Sequence, residues 1–544
     1  MKQIKNKLIN LITYYKIIQL AGFGLLLLLS KNYILSIACK AMKLEPKNLL
    51  YLPFRITITI GLLGLWILVT LNLCRSRYYT KITGRIYRHD SKKYRRTFWE
   101  LIDYFENADP HKLDTSNFPE INWRNANGFV FGRDGKKLIS IPENCESNIA
   151  IAGPPGSGKS SMAIITLLTF KGSVLAIDVK SDLYNFCRNK RKIIRFCPDS
   201  PTALQDSCHF NPLAGIHAMT PTDKKLYIDS MATILIPDEG GSDGNYFTTR
   251  ARKYFQGIVH LLLFQNPQTT FPDIVHAILR GNPFDWVTTA MASECSEAIE
   301  LLSSFYGNSE KNLSGVYDTL CSNIASFSND ILDVLLTDND NCISIKTLED
   351  GWDIYLQISQ EHLDSYASLF TLIIQYFSAE FSKRTDSSTA SSVPGMHNRP
   401  ILMLCDEFPA LTFSYKLINS NLSTLRSKSI ITCLIFQNLS QIEYKYQPAG
   451  ARALLGNCNY QIILGSNDIN TGKLYSETFG TKKVLKVSNT ETASLNNSSG
   501  QTIQEAREPV FYPEDFGDLP ARKQAIIYFK GKHCLCEKLN CYTD

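Results

Sequence analysis

Ile149-Ala150-Ile151-Ala152-Gly153-Pro154-Pro155-Gly156-Ser157-Gly158-Lys159-Ser160 is the stretch that gives the rest of the chain its meaning. It satisfies G-x-x-x-x-G-K-[ST], with Gly153, Gly158, Lys159 and Ser160 at the fixed positions. A loop that cradles phosphate must aim several backbone N–H groups at one anion, so it needs glycines free to take positive φ. Lys159 adds a point charge for the β- and γ-phosphates, and the Ser160 hydroxyl suits Mg²⁺. Context agrees with the pattern. Ile149 to Ala152 reads as a short buried strand, and Ser160 to Phe170 as the helix whose N-terminus faces the phosphates. Strand, loop and helix in that order imply a nucleotide site. Gly153, Pro154, Pro155, Gly156, Ser157, Gly158, Lys159, Ser160 and Ser161 would line it, with ATP and Mg²⁺ as the expected cofactors.

A second signature lies far downstream, in Ile401-Leu402-Met403-Leu404-Cys405-Asp406-Glu407-Phe408-Pro409. A hydrophobic run ending in two acids is weak evidence alone, because many buried strands end in carboxylates. Beside a phosphate loop it gains force. Asp406 would hold the Mg²⁺ hydration shell, and Glu407 would orient and deprotonate an attacking water. The next apolar run, Ile430 to Phe436, ends in Gln437, placed to sense the γ-phosphate. Ser173 to Asp178 and Lys192 to Phe196 read as further strands, and Asp178 and Asp182 fall where open α/β sheets form their ligand crevice.

Between these strands the periodicity changes. From 216 to 345 apolar residues recur at helical spacing, as in Phe247, Ala251, Tyr254, Phe255, Ile258, Val259 and Leu262. Thr220-Pro221-Thr222-Asp223 is a capped helix start. The expectation is an all-α insert at 216–345 within a strand-alternating domain at 81–215 and 346–544. Trp352 to Ile358, Tyr460 to Leu464 and Lys523 to Phe529 return to strand, and His362 to Lys383 is a long helix. Asn127 to Gly132 reads as a turn leading to the first strand, while Thr385–Arg399 and Val487–Gln504 read as polar loops.

Composition bounds the class. At 544 residues, 44% apolar and 20% charged, the chain holds more than one domain core. Ile56 to Cys74 carries no charge and is long enough to cross about 30 Å of hydrocarbon. A weaker apolar stretch, about 9–30, spans only if it extends back to Ile9 with Lys16 snorkelling, or forward past Lys31. Residues 1–80 thus read as an anchor with two transmembrane helices. A cleaved signal peptide is the rival for the first, but secretion would separate the phosphate loop from ATP. Residues 1–100 hold eighteen Lys/Arg against three Asp/Glu, leaving 39 basic against 48 acidic residues beyond. The +6 net charge therefore belongs to the membrane flank and says nothing of nucleic acid. The basic cluster after Cys74 places both ends in the cytoplasm. Fifteen scattered cysteines in an ATP-dependent protein imply reduced thiols, and Cys534, Cys536 and Cys541 lack the partner set of a zinc site.

In sequence order, GPPGSGKS, AIDVKSDL, FNPL, the helical insert, LMLCDEFPAL, RSKSI, FQNLSQIEYKY and REPVFYPEDFGDLP resemble the TraG/TraD family of type IV secretion coupling proteins. The likeness covers nearly the whole chain except 81–126. It implies a RecA-like motor with an all-α domain, a bacterial inner-membrane anchor and a homohexamer. It also implies delivery of secreted effector proteins or relaxase–DNA complexes to secretion-channel membrane proteins, with DNA itself a further cargo. Lys159, Glu407 and Gln437 would be catalytic, Ser160 and Asp406 would hold Mg²⁺, and Arg426 matches the family's arginine in R-x-x-G-I. Two departures fall at Ser429, where a glycine is usual, and Gln447, where Tyr-Gly is usual. Two other readings stay open: a DNA translocase of chromosome-partition type, and a membrane receptor platform that binds ATP without sustained pumping.

Overall fold

The computed structural model describes residues 111–542 apart from 116–117, 119–125, 142–146, 238–241, 308–309, 393–397, 412, 414 and 493–497, and only a few positions between 36 and 61. Both expected membrane spans lie outside the described residues but for those few positions. Among the described residues no helix is long and apolar enough to cross a membrane. The chain divides into two units, one of Met1–Lys112 and Phe479–Val510, the other of Leu113–Thr478 and Phe511–Asp544.

The second unit is built on one sheet of eleven strands. In chain order these are β1 (Val130–Asp134), β2 (Lys137–Ser140), β3 (Ile149–Ala152), β4 (Ser173–Asp178), β5 (Ile193–Phe196), β6 (Asp353–Gln357), β7 (Ile401–Cys405), β8 (Ile430–Phe436) and β9 (Tyr460–Ile463). The first unit carries β10 (Thr481–Thr492) and β11 (Ser498–Pro509), and β12 (Gln524–Phe529) and β13 (Lys532–Glu537) complete the large sheet. Its order is β2-β1-β13-β12-β9-β3-β8-β7-β4-β6-β5. From β9 to β5 every pairing is parallel, whereas β12, β13, β1 and β2 add an antiparallel wing.

The sequence explains which strands are central. β3 (IAIA), β4 (SVLAID), β7 (ILMLC) and β8 (IITCLIF) are buried at every position. Continuous apolar runs of that kind suit a parallel sheet covered on both faces. Each Ile or Leu so buried is worth about 1.5–3 kcal/mol of transfer free energy. An aromatic stack ties the wing to the parallel core: Tyr460 lies 4.4 Å from Phe529 and 5.1 Å from Phe131, ring centre to ring centre. Cys534 and Cys536 serve here as buried packing on β13.

Between β5 and β6 the described chain is helical apart from one isolated bridge, His209 to Cys342. Thr220 caps the helix Pro221–Leu235 by accepting from the Asp223 amide. Thr270 and Asp273 form a reciprocal capping box at Phe271–Arg280. Tyr254, on the long helix Ser242–Gln265, packs edge-on against Phe305 and Tyr317 and donates to the Pro283 carbonyl.

Three expectations change. Residues 487–492 and 498–504 are not loop: they lie in the hairpin β10–β11, paired from Thr481↔Pro509 to Thr492↔Ser498. Few of these residues are apolar, so hydrophobic alternation gives no signal there, and the backbone ladder defines the strands instead. Asn127–Gly132 runs into β1 itself, and the hairpin turns at Gly135-Lys136. The stretch 385–399 contains a short helix, Ser387–Ser392.

One buried ion pair fastens the sheet beside the phosphate-loop helix. Asp353, 1% exposed, accepts from the Val174 amide at 2.9 Å and from both Nε and Nη2 of Arg191. Arg191 also donates to the carbonyls of Leu167, Phe170 and Gly172. Removing one partner of such a pair leaves an uncompensated buried charge. Asp353→Ala should therefore lower stability by about 3–5 kcal/mol in urea unfolding. A loss under ~1 kcal/mol would show that water solvates Arg191 there.

Candidate nucleotide site

The loop Gly153–Gly158 leaves β3 and enters the helix Lys159–Thr169. Its start is fixed by the Gly153 amide, which donates to the Phe436 carbonyl at the end of β8. A side chain at Gly153 would meet Ser157 Oγ at 2.4 Å and Leu464 Cβ at 2.9 Å, so only glycine fits. Gly158 caps the helix at φ 98°, in the left-handed region that glycine enters freely.

Lys159 is buried. Its ammonium donates to the carbonyls of Gly153 at 2.6 Å and Pro154 at 3.2 Å. Burial pulls its pKa below the usual lysine range, against the attraction of Glu407 and Asp406. Those acids follow β7, separated from β3 only by β8. Asp406 is pushed up to about 6, first by burial and then by Glu407 beside it. Glu407 adopts φ 49°, ψ 41°, unusual for a residue with a side chain and costing roughly 1–2 kcal/mol. Backbone strain of this kind gathers at functional sites. Gln437, past the end of β8, donates its side-chain N–H to both Glu407 oxygens, at 3.2 and 3.3 Å. The Gln437 amide in turn donates to Gln441 Oε1.

The supporting residues come from the motifs that flank the site. Phe408 stacks on Phe413 and Tyr446, and Lys445 donates to the Pro409 carbonyl at 3.1 Å. The DEFPAL turn is thus held by the helix Leu439–Gly456. Asp178, at the end of β4, accepts from the Leu183 and Tyr184 amides, and burial lifts its pKa to about 6. Two residues read as site members stand apart. The Ser161 hydroxyl is occupied by the Cys541 amide and the Leu539 carbonyl. Arg426 is exposed before β8, donating to Asn459 Oδ1, at the opposite end of that strand from Gln437. Seven strand residues separate them by roughly 20 Å. Sequence reasoning missed Lys538, whose ammonium donates to Ser157 O at 2.9 Å and Leu464 O at 2.8 Å. A lone lysine after a Cys-x-Cys strand gives no signal of that contact.

The site fits a Mg²⁺–polyphosphate on this chain's own evidence. Ser157 Oγ is buried in the loop with no hydrogen-bond partner. A helix N-terminus opens there, and the neighbouring hydroxyl and carboxylates are the hard oxygen donors Mg²⁺ prefers. These features make this the candidate P-loop nucleotide site. Residues 92–544 match the family model for the type IV secretory system conjugative DNA transfer proteins, and the chain belongs to that family. It is 25% identical over 416 residues to VirD4 of Rhizobium rhizogenes, covering 72% of this chain and 58% of that one. It is 23% identical over 461 residues to the type IV secretion system coupling protein VirD4 of Bartonella quintana, covering 78% of this chain and 70% of the other. Thus the chain spans little more than half the length of the Rhizobium relative. The plasmid coupling protein TrwB, solved with a non-hydrolysable ATP analogue, superposes with TM-score 0.57 at 15% identity, over 79% of this chain and 93% of TrwB. A second TrwB structure, with ADP and Mg²⁺, gives TM-score 0.55 at 16% identity, over 78% of this chain and 91% of that one. This likeness establishes the RecA-like α/β fold.

Two glycines separate loop chemistry from backbone strain. Gly158 (φ +98°) and Gly135 (φ +65°) both have room for a methyl group. Either alanine should cost about 1–2 kcal/mol of stability through positive φ. Gly158→Ala should also weaken nucleotide binding at least about 10-fold as its N–H turns away, while Gly135→Ala leaves affinity within about twofold. Titration with a fluorescent ATP analogue reads the difference, and equal affinities for the two variants would contradict the cradle.

Proposed function

We propose that this protein is a membrane-anchored ATPase of the coupling-protein type, recruiting protein or nucleoprotein substrates and using ATP hydrolysis to deliver them into a type IV secretion or conjugation channel. The observation that carries this is the Glu407–Gln437 pair facing buried Lys159, within a chain matched by the conjugative-transfer family over 92–544. VirD4 of Bartonella is named a coupling protein, and TrwB binds ADP with Mg²⁺; the same reading is taken here for this chain.

In this reading the Lys159 ammonium leaves its two carbonyls for the phosphates. Glu407, strained and held by Gln437, orients water and takes its proton. Ser160 and Asp406 would hold Mg²⁺, which supplies charge neutralisation at the phosphates. Arg426 lies too far from its own loop to act there, so its guanidinium would serve a neighbouring subunit in a ring, where such a finger is worth about 10³–10⁵ in rate. Residues 1–80 would anchor the ring in the inner membrane, 81–215 and 346–544 form the motor, and 216–345 receive cargo. That last segment holds sixteen Asp/Glu against seven Lys/Arg, a field that attracts basic protein segments and repels a bare nucleic-acid backbone.

The test is turnover with binding measured alongside. Lys159→Ala should lose nucleotide affinity. Glu407→Gln should keep it and lose about 10²–10⁴ in kcat. Mixing Arg426→Ala with Lys159→Ala subunits should restore part of the activity that each lacks alone. Wild-type turnover by Glu407→Gln would remove the base assignment, and an inert mixture would remove the finger in trans.

A further inference from the structure

The segment after β13 runs back under the phosphate loop. The Lys538 amide donates to the Lys523 carbonyl at 2.9 Å, which fixes where its side chain starts. Its stem then passes Gly158, with Cδ 3.9 Å from where a Cβ on that glycine would stand. The ammonium ends between Ser157 O and Leu464 O, at 2.9 and 2.8 Å. Leu464 is itself tied to the root of the loop, since its amide donates to Ala152 O at 2.8 Å. Further on, the segment grips the first helical turn: the Cys541 amide, three residues past Lys538, donates to Ser161 Oγ at 2.7 Å, and that hydroxyl donates to Leu539 O. Leu539 packs in a small apolar cluster with Ile165, on the same helix.

A trans peptide is planar, with its C=O and N–H pointing opposite ways. Ser157 C=O and Gly158 N–H belong to one such peptide. Holding the carbonyl down onto Lys538 therefore turns the Gly158 amide toward the other side of the loop. The tether is also charged. Both bonds of the Lys538 ammonium go to carbonyls, and burial pushes its pKa down to about 8. A half-buried ammonium balanced by carbonyls alone costs free energy that a nearby anion recovers.

We propose that Lys538, with Leu539–Cys541, is a positioning element of the nucleotide site: it pins the carbonyl side of the loop so that the Gly158 amide is presented to a polyphosphate, and its charge reinforces that of Lys159. This rests on reading Gly153–Ser160 as the nucleotide site. Lys538 acts through the loop rather than on the reacting atoms, so its loss falls on binding. A purely structural tie would instead lower stability and leave the affinity of the folded fraction unchanged.

The full chain, purified in detergent, is compared as wild type, Lys538→Met, Lys538→Arg, Ser161→Ala and Lys159→Ala. Readouts are KM and kcat for ATP and the Kd of a fluorescent ATP analogue. Lys538→Met should raise KM and Kd about 10- to 100-fold, the span of one or two charge-assisted hydrogen bonds, with kcat within about threefold. Lys538→Arg, which keeps donors and charge, should return both to within about threefold of wild type. An unchanged KM in Lys538→Met, or a loss that arginine does not rescue, overturns the proposal. Should Lys538→Met fail to fold, Ser161→Ala decides: a KM raised about threefold or more supports the grip, and an unchanged KM overturns it. Lys159→Ala separates the two levels. If it binds the analogue as tightly as wild type, the nucleotide-site reading itself fails. If it loses binding while Lys538→Met keeps it, only the role of Lys538 fails.

Discussion

A buried ammonium facing two adjacent carboxylates is the constraint on which the rest of this structure depends. Lys159, Asp406 and Glu407 sit at the ends of parallel strands, where burial penalises the charges of Lys159 and Asp406. In this state the lysine bonds to its own loop carbonyls, and Glu407 is held by the Gln437 side-chain N–H. The opposite charges are kept near each other, and each is satisfied by a neutral partner. A ligand bringing both phosphate and a divalent cation would suit both halves. The sheet supplies that arrangement through its order, placing β8 between the strands that carry the loop and the acids.

The same order separates the two residues that flank β8. Gln437 and Arg426 flank a single strand, yet one meets Glu407 and the other stands at the far end beside Asn459. In the ring proposed above, such a strand would link a subunit's own site to its neighbour's. β8 is buried along its whole length, so it transmits displacement with little give.

Much of the candidate site was legible in the sequence because its motifs are local. The phosphate loop, the acids after β7 and the glutamine after β8 each lie in a short run with a recognisable flank. The parallel strands were legible for the same reason, since their apolar runs are continuous. What stayed hidden depends on distant partners. Lys538 meets Ser157 only because β13 joins the wing of the sheet. The hairpin β10–β11 is written in backbone pairing rather than in apolar alternation. The two family departures are instructive. Ser429 at φ 62° and Gln447 at φ 63° keep the positive-φ backbone that a glycine would adopt without strain. Both turns are held at an energetic cost the sequence alone did not reveal.

Nucleotide binding should draw Lys159 from carbonyl to phosphate while the loop beneath it stays tethered. An experimental structure of the full chain with Mg²⁺ and a non-hydrolysable ATP analogue tests this most directly. The analogue's phosphates should lie in the Gly153–Ser160 loop. Lys159 should have broken from Gly153 O and Pro154 O to reach them, with Lys538 still on Ser157 O. Nucleotide bound elsewhere, or Lys159 still folded onto its own carbonyls beside an occupied loop, would contradict it.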